Sequence, residues 1–72
     1  MDRGVLQEHL AQCERRVVAG EQHVARQRSI IAELDAHGQD ATFARAVLRQ
    51  FQVMLELQMA ERDRLRCEVG VL

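Results

Sequence analysis

The 72-residue sequence contains no proline, no tryptophan and no tyrosine, and it has only two cysteines and four glycines. Two cysteines cannot form a disulfide-dense scaffold, and the dispersed glycines do not form a phosphate-binding loop. The longest stretch without a charged residue, 50–55, is far too short to span a bilayer, and no apolar segment typical of a signal peptide follows the first residues. We therefore expect a cytoplasmic protein with reduced cysteines and without a membrane partner.

A strong net charge is also absent. The formal net charge is −1, with ten basic residues, all of them arginine, against eleven acidic ones. Bulk electrostatic attraction to nucleic acid or to an anionic membrane is therefore not expected. The exclusive use of arginine is typical of codon bias in a GC-rich genome.

No set of side chains with catalytic spacing is present. Ser29 is the only serine, and no histidine lies one helical turn from it. The carboxylates are scattered over positions that we expect to be exposed. We therefore expect neither an enzyme nor a cofactor.

The composition favours helix. The chain is 47% hydrophobic and 29% charged, and it is rich in Ala, Leu, Glu, Gln and Arg, which are strong helix formers. A chain of this size buries little apolar surface by itself and usually needs disulfides, a metal or a second chain. With few cysteines and no evident metal-ligand cluster, we expect a homo-oligomer.

Residues 35–40 separate two long amphipathic segments. Gly38 suits the left-handed position that ends a helix, and Asp40 is placed to accept hydrogen bonds from the first N–H groups of the next helix. The sequence thus predicts one all-α domain over residues 1–72. It is an antiparallel two-helix hairpin, similar to a coiled coil, with helix 1 over about 5–36, a turn over 37–40 and helix 2 over about 41–69.

Both segments carry a row of mainly apolar residues that advance in alternating steps of four and three, the spacing of a coiled-coil seam. We call the two rows together the inner seam. In helix 1 it consists of Leu6, Leu10, Cys13, Val17, Gly20, Val24, Gln27, Ile31 and Leu34. In helix 2 it consists of Ala44, Leu48, Phe51, Leu55, Gln58, Arg62, Leu65, Val69 and Leu72.

Helix 2 has further apolar side chains beside this seam. Val47 and Met54 each precede a seam position, and Met59 also lies beyond it, so the apolar face is wide. A face of this width can contact two neighbours, and we expect two hairpins to form a homodimeric four-helix bundle. The expected interface residues are Val47, Leu48, Phe51, Met54, Leu55 and Met59.

A polar layer is predicted in the middle of the seam. Folding the chain between residues 38 and 39 pairs apolar side chains along most of the hairpin, for example Cys13 with Leu65, and places Gln27 opposite Phe51. The seam is interrupted by Gly20, Gln27, Gln58 and Arg62. Such a layer either fixes the helix register, as a buried Asn does in a zipper, or forms a polar pocket in the core.

Three side chains could begin a zinc site. His9, Cys13 and Cys67 come to about the same height in the hairpin, and a nearby glutamate could complete the ligand set. Cys67, however, lies off the seam and is expected to point to solvent, which leaves Cys13 as a small core side chain. We therefore expect no metal.

The arginines suggest nucleic acid as an alternative ligand. Basic side chains lie on both helices: Arg45, Arg49, Arg62, Arg64 and Arg66 on helix 2, and Arg15, Arg16, Arg26 and Arg28 on helix 1. Small helical-hairpin dimers can bind RNA, and in size and architecture the chain resembles the hairpin-shaped regulator of plasmid copy number, which is a similarity of fold only. The few aromatics and the interspersed acids favour a solvated, salt-bridged surface instead.

Part of the sequence is similar to short uncharacterised proteins of proteobacteria, rhizobia among them: the segments 13–21, 38–40 and 62–65, together with Gln27-Arg28, Ile31, Leu34, Leu48 and Phe51. In those proteins an E-R-x-V-A-x-G-E segment precedes a G-x-D-T turn and a final D-R-L. Ala41 stands where they often have threonine. The resemblance implies a recurring helix-pairing architecture, to which Gly20 and the segment 62–65 belong, and it implies no activity.

These features predict a small cytoplasmic interaction or structural module without catalytic activity. We expect a helical hairpin that dimerises and presents its outer helical faces to another protein. The alternative is a small RNA- or DNA-binding regulator built on the same dimeric hairpin.

Overall fold

The chain reverses direction once, at residues 37–41, and is helical on either side of that turn. The computed structural model describes residues 2–71, in which α1 spans Arg3–Ala36 and α2 spans Thr42–Val71. The hairpin measures 54 × 14 × 13 Å between Cα atoms. The predicted all-α antiparallel hairpin is confirmed. α1 ends at the predicted residue, and the other three helix ends differ from the predicted ones by one or two residues. Neither helix, as far as it is described, contains an apolar stretch that could cross a bilayer.

Gly38 closes the end of α1. Its φ is 67°, a left-handed conformation that a side chain would strain. The N–H of Gly38 donates to the carbonyl of Asp35 at 3.1 Å, and the N–H of Gln39 donates to that of Leu34 at 2.8 Å. These two bonds form a Schellman motif, which satisfies carbonyl groups left without partners in the last helical turn. The predicted role of Gly38 is therefore confirmed.

Asp40 organises the start of α2. Its Oδ1 accepts hydrogen bonds from the hydroxyl of Thr42 at 2.6 Å and from the backbone N–H of the same residue at 2.9 Å. Both hydrogen bonds hold the pKa of the Asp40 carboxyl below its usual value, and the bond from the Thr42 hydroxyl has the larger effect. The predicted capping role is confirmed, but α2 begins at Thr42, because the carbonyl of Ala41 accepts the first intrahelical bond, from Arg45.

The core is a single stripe between the helices. Cys13 and Leu65 belong to one buried cluster with Leu6, as the predicted pairing of the helices requires. No side chain among residues 2–71 is less than 2% exposed, so the hairpin has a contact stripe and not an enclosed core. The deeply buried apolar residues are Leu6, Cys13, Val17, Val24, Ala41, Ala44 and Leu65.

Ion pairs connect the helices near both ends of the hairpin. Close to the turn, Nη2 of Arg45 lies 2.9 Å from each carboxylate oxygen of Asp35. Toward the open end, Nη2 of Arg66 lies 3.2 Å from Oε2 of Glu14. All four side chains are about half exposed, so each pair contributes little stability, but both pairs form only at this alignment of the helices.

Gln27 has a different partner from the predicted one. Its Nε2 donates to the carbonyl oxygen of Ala44 at 2.9 Å, and the residue is 9% exposed. Phe51 instead stacks on His23, with ring centroids 5.6 Å apart. A buried amide needs a polar partner, and a helix carbonyl with a second lone pair supplies one where an aromatic ring does not. Pairing residues only by their position along the hairpin axis does not take this need for a hydrogen-bond acceptor into account.

We predict that Asp40→Ala lowers the melting temperature at neutral pH and that this difference disappears in acid. The folded-state pKa of Asp40 lies below its unfolded value, so its stabilising contribution is present above the unfolded pKa and is lost as the pH falls through the folded one. Thermal unfolding followed by circular dichroism at several pH values measures this. Asp40→Asn, which does not titrate, is the control and should lack the step. A difference between wild type and Asp40→Ala that persists into acid would contradict the assignment.

Leu65→Ala is expected to destabilise the protein by about 2–5 kcal/mol, because Leu65 is only 4% exposed and its removal leaves a cavity in the contact stripe. Val18→Ala is the matched control on the outer side of α1, where the side chain is 54% exposed, and should change stability by less than about 0.5 kcal/mol. Urea unfolding at a fixed protein concentration compares the two. Equal effects would refute the inner seam.

Candidate interaction surface

A second row of α2 residues has coiled-coil spacing. Its members advance in alternating steps of three and four, and we call this row the outer seam: Phe43, Ala46, Gln50, Val53, Leu57 and Ala60. With 3.6 residues per turn, the row lies on the side of α2 away from the inner seam. It is therefore not the row that packs against α1.

The outer seam contains most of the large exposed apolar side chains of α2. The exposed fraction is 81% for Phe43, 56% for Val53 and 63% for Leu57, and it is 56% for Met54 beside the seam. Val53, Met54 and Leu57 line a shallow groove along the helix together with Ala46, Arg49 and Gln50. Single exposed apolar residues are normal on protein surfaces, whereas a contiguous row is typical of an interaction site.

The predicted interface residues lie partly on this surface. Met54 is exposed, while Val47, Leu48, Phe51, Leu55 and Met59 are half-buried. Val47 and Met54 border one edge of the inner seam and Met59 borders the other, because each residue along a helix adds a rotation of about 100°. One partner helix therefore reaches only some of the six, and the interface as a set stays a prediction.

The predicted set omits the large exposed apolar residues of the outer seam, Phe43, Val53 and Leu57. The signal that identifies them is a second run of three-four spacing in the same helix. It is weaker than the inner seam because Gln50 and two alanines interrupt its large side chains. The burial pattern then shows which of the two rows packs against α1 and which stays exposed.

Unpaired charges flank the outer seam. Arg49 and Glu56 form no ion pair within residues 2–71, and they lie two helical turns apart, too far to reach each other. Beyond the end of the seam, Arg64 pairs with Glu61 and Glu68. The hydrogen bond between Arg64 and Glu61 raises the pKa of the guanidinium and lowers that of the Glu61 carboxyl. Arg49 and Glu56 are thus available to a partner, whereas Arg64, Glu61 and Glu68 are paired with one another within α2.

The polar layer of the inner seam is a point of close helix approach. A Cβ atom at Gly20 would lie 3.0 Å from Oε1 of Gln58 and 3.1 Å from Cδ1 of Leu55. This Oε1 is buried and has no hydrogen-bond partner in the described part of the chain. Arg62, whose side chain is 18% exposed, pairs with Asp63. Glycine at position 20 therefore allows α2 side chains to reach the backbone of α1.

Both interpretations of the polar layer have a structural counterpart. The bond from the Gln27 amide to the backbone of α2 forms only at one alignment, which favours a role in fixing the register. A cavity of about 140 Å³ opens beside the layer, with Gly20, His23, Met54 and Gln58 among its lining residues. This cavity is small and lies next to the outer seam, so it extends that surface more than it forms a separate pocket.

The suggested zinc ligands do not come together. His9 and Cys13 line a groove near the open end of the hairpin, with Glu61 and Glu68 opposite. Cys67 is exposed and does not line this groove, and Cys13 is buried with its Sγ 3.9 Å from a backbone carbonyl of α2. Among residues 2–71, no three His, Cys, Asp or Glu side chains lie close enough together to hold a metal ion.

Three arginines border another groove. Arg28 from α1 lies with Arg45 and Arg49 from α2 around Ile31 and Leu48. Arg45 is ion-paired across the turn, whereas Arg28 and Arg49 have no ion pair in the part of the chain that the structure describes. On α2 the other arginines named as possible nucleic-acid ligands pair with acids: Arg62, Arg64 and Arg66. On α1, within residues 2–71, no ion pair forms at Arg15, Arg16 or Arg26.

The chain matches no family model, no curated protein and no solved structure. The resemblance to short proteobacterial helical-hairpin proteins stays a prediction.

Gly20→Ala is expected to lower the free energy of unfolding by about 1 kcal/mol. Alanine favours helix over glycine by about 1 kcal/mol, but the new methyl group would press on Leu55 and Gln58, and overpacking costs about 1–3 kcal/mol. Gly70→Ala is the matched control, because nothing lies within 4 Å of its added Cβ, and it should stabilise by up to about 0.5 kcal/mol. Urea unfolding measures both. Stabilisation by both substitutions would contradict the close approach at Gly20.

Proposed function

We propose that this protein is a helical interaction module without catalytic activity, and that the outer seam of α2 is its binding surface. The observation that supports this most directly is the exposed apolar row of Phe43, Val53 and Leu57, with Met54 at its edge. A row with this spacing packs well against another helix, because its side chains fit between those of the partner. The expected ligand is a helix of a protein.

The thinness of the hairpin supports the same proposal. At 54 × 14 × 13 Å it is a single layer of two helices, so each helix has a helical neighbour on one side only. Small helical domains gain stability by burying further faces. A dimer in which two hairpins pack through α2 is the simplest assembly that covers the outer seam.

We place the protein in the cytoplasm, acting without a cofactor. Both cysteines are free, and the thiol of Cys67 is exposed. An exposed free thiol is compatible with a reducing compartment, where such groups stay reduced.

A second candidate function is binding of RNA or DNA in the groove formed by Arg28, Arg45 and Arg49. The guanidinium groups of Arg28 and Arg49 are free of ion pairs with residues 2–71 and could contact phosphates. A net charge of −1 and the lack of tryptophan and tyrosine for base stacking argue against this function. We rank it second for that reason.

Site-specific photo-cross-linking in cells tests the proposal. A photoreactive amino acid replaces Leu57 on the outer seam or, as the matched control, Gln22 on an exposed side of α1. Because Leu57 is 63% exposed in the hairpin and covered in the proposed complex, we expect a discrete protein adduct from position 57 and none from position 22. Mass spectrometry of the adduct identifies the partner chain.

Two results would contradict the interaction module. One is the absence of any protein adduct from position 57. The other is a heterogeneous mixture of adducts in similar amounts from positions 57 and 22. Nucleic acid that copurifies with the protein would be conspicuous at 260 nm, since a chain without tryptophan and tyrosine absorbs little at 280 nm. Its loss at high salt and in Arg28→Glu would favour the nucleic-acid regulator.

A further inference from the structure

The outer seam is complementary in size to its own antiparallel copy. Each large apolar residue of the seam on one side of the midpoint between Phe51 and Gln52 has a smaller or more flexible residue at the same distance on the other side. When two such helices pack antiparallel about a twofold axis through that midpoint, each large side chain meets a smaller or more flexible one. The pairs, each formed twice, are Phe43 with Ala60, Leu57 with Ala46, and Val53 with Gln50.

The residues beside the seam follow the same symmetry. In an antiparallel helix pair, each edge of one helix faces the same edge of the other. Arg49 then faces Glu56 of the second copy, twice by symmetry, and both are charges without a partner in their own chain as described. On the other edge, Val47 faces Met54 of the second copy. The edge of α2 with Arg49 and Glu56 thus brings opposite charges of the two copies together. The edge with Val47 and Met54, which lies next to α1, brings apolar side chains together.

We propose that the partner of the outer seam is a second copy of this chain, with the two α2 helices antiparallel and the twofold axis between Phe51 and Gln52. This inference rests on the proposed function, because it names the occupant of the same surface. In this dimer the exposed side chains of Phe43, Val53 and Leu57 are buried against the α2 helix of the other copy. The two copies also form two Arg49–Glu56 ion pairs.

Other alignments bring unfavourable groups together. In a parallel pair, Glu56 would face Glu61 of the second copy, and Asp63 would face Glu68 of the second copy. An antiparallel pair shifted by one heptad toward the C-terminus would place Arg64 in the seam opposite Ala46 of the second copy. It would also bring the two Glu56 side chains together. Of these three alignments, only the proposed one combines size complementarity with opposite charges.

Charge reversal tests the ion pairs. Arg49→Glu and Glu56→Arg should each weaken the dimer about tenfold in Kd, because each replaces two attractive contacts by two repulsive ones. The double variant should return Kd to within about twofold of wild type, since the pair is restored with the charges exchanged. Analytical ultracentrifugation over a range of concentrations measures Kd, and circular dichroism checks that each variant is folded.

Matched control variants make the same charge changes on α1, away from the outer seam. Arg15→Glu and Glu21→Arg alter exposed residues that form no ion pair with residues 2–71, so they should leave Kd unchanged. An equal loss of affinity in these controls would show that net charge, and not the Arg49–Glu56 pair, governs association.

Disulfide trapping measures the orientation of the helices. In a Cys67→Ser background, chains carrying Gln50→Cys and chains carrying Val53→Cys are mixed under reducing conditions and then oxidised. The antiparallel alignment predicts that the mixed disulfide between positions 50 and 53 exceeds both same-residue disulfides, because only the former brings the Cβ atoms close enough. A parallel pair gives the opposite result.

The possible results separate this inference from the proposed function. A dimer whose affinity is not restored by the double reversal, or which forms mainly same-residue disulfides, would overturn the alignment and leave the outer seam as an interaction surface. A wild-type chain that is monomeric at every concentration would overturn the second copy as occupant. A cross-link from Leu57 to a different protein would then preserve the proposed function, and no cross-link would overturn both.

Discussion

A hairpin of two helices can bury only one stripe of each helix, and most of the structure follows from this limit. The inner seam uses that stripe on both helices, and every deeply buried apolar residue except Ala41 lies on it. On α1 the remaining large apolar side chains, Val5, Val18 and Ile30, are dispersed along the helix. On α2 they form a second row. The two helices are therefore unequal, and α2 is the one with an apolar face left to cover.

The exposed face of α2 is well defined because the alignment of the two helices is fixed at several points. The turn closes α1 at Gly38, and the bond from Gln27 to the backbone of α2 forms at one register only. Gly20 admits Gln58 and Leu55 close to the backbone of α1, which a larger residue would prevent. Polar and small residues in the seam reduce the buried apolar surface, and they exclude slipped arrangements that a purely apolar seam would tolerate.

The turn and the inner seam could be predicted from the sequence because both depend on local chemistry or on periodicity. Gly38 and Asp40 have roles that follow from backbone conformation and hydrogen bonding within a few residues. The partner of Gln27 could not be predicted, because pairing by height ignores the need of a buried amide for an acceptor. The outer seam was not predicted for a different reason, because Gln50 and two alanines interrupt its large side chains and weaken its spacing. A hydrophobic pattern shows which residues share a side of a helix, but not where the covering of that side by the neighbouring helix ends.

An apolar row alone does not determine its partner, since any helix with a matching row could cover it. The order of sizes and charges along the row is more selective. Phe43 and Leu57 are large, Ala46 and Ala60 are small, and their positions mirror one another about the middle of the row. A row that served only to bind an apolar surface would bind it more tightly with large side chains at every position, because each large side chain adds buried apolar area. The alanines reduce that area and are useful only when the partner presents large side chains opposite them. The second copy of α2 presents such side chains at those places, with Glu56 opposite Arg49.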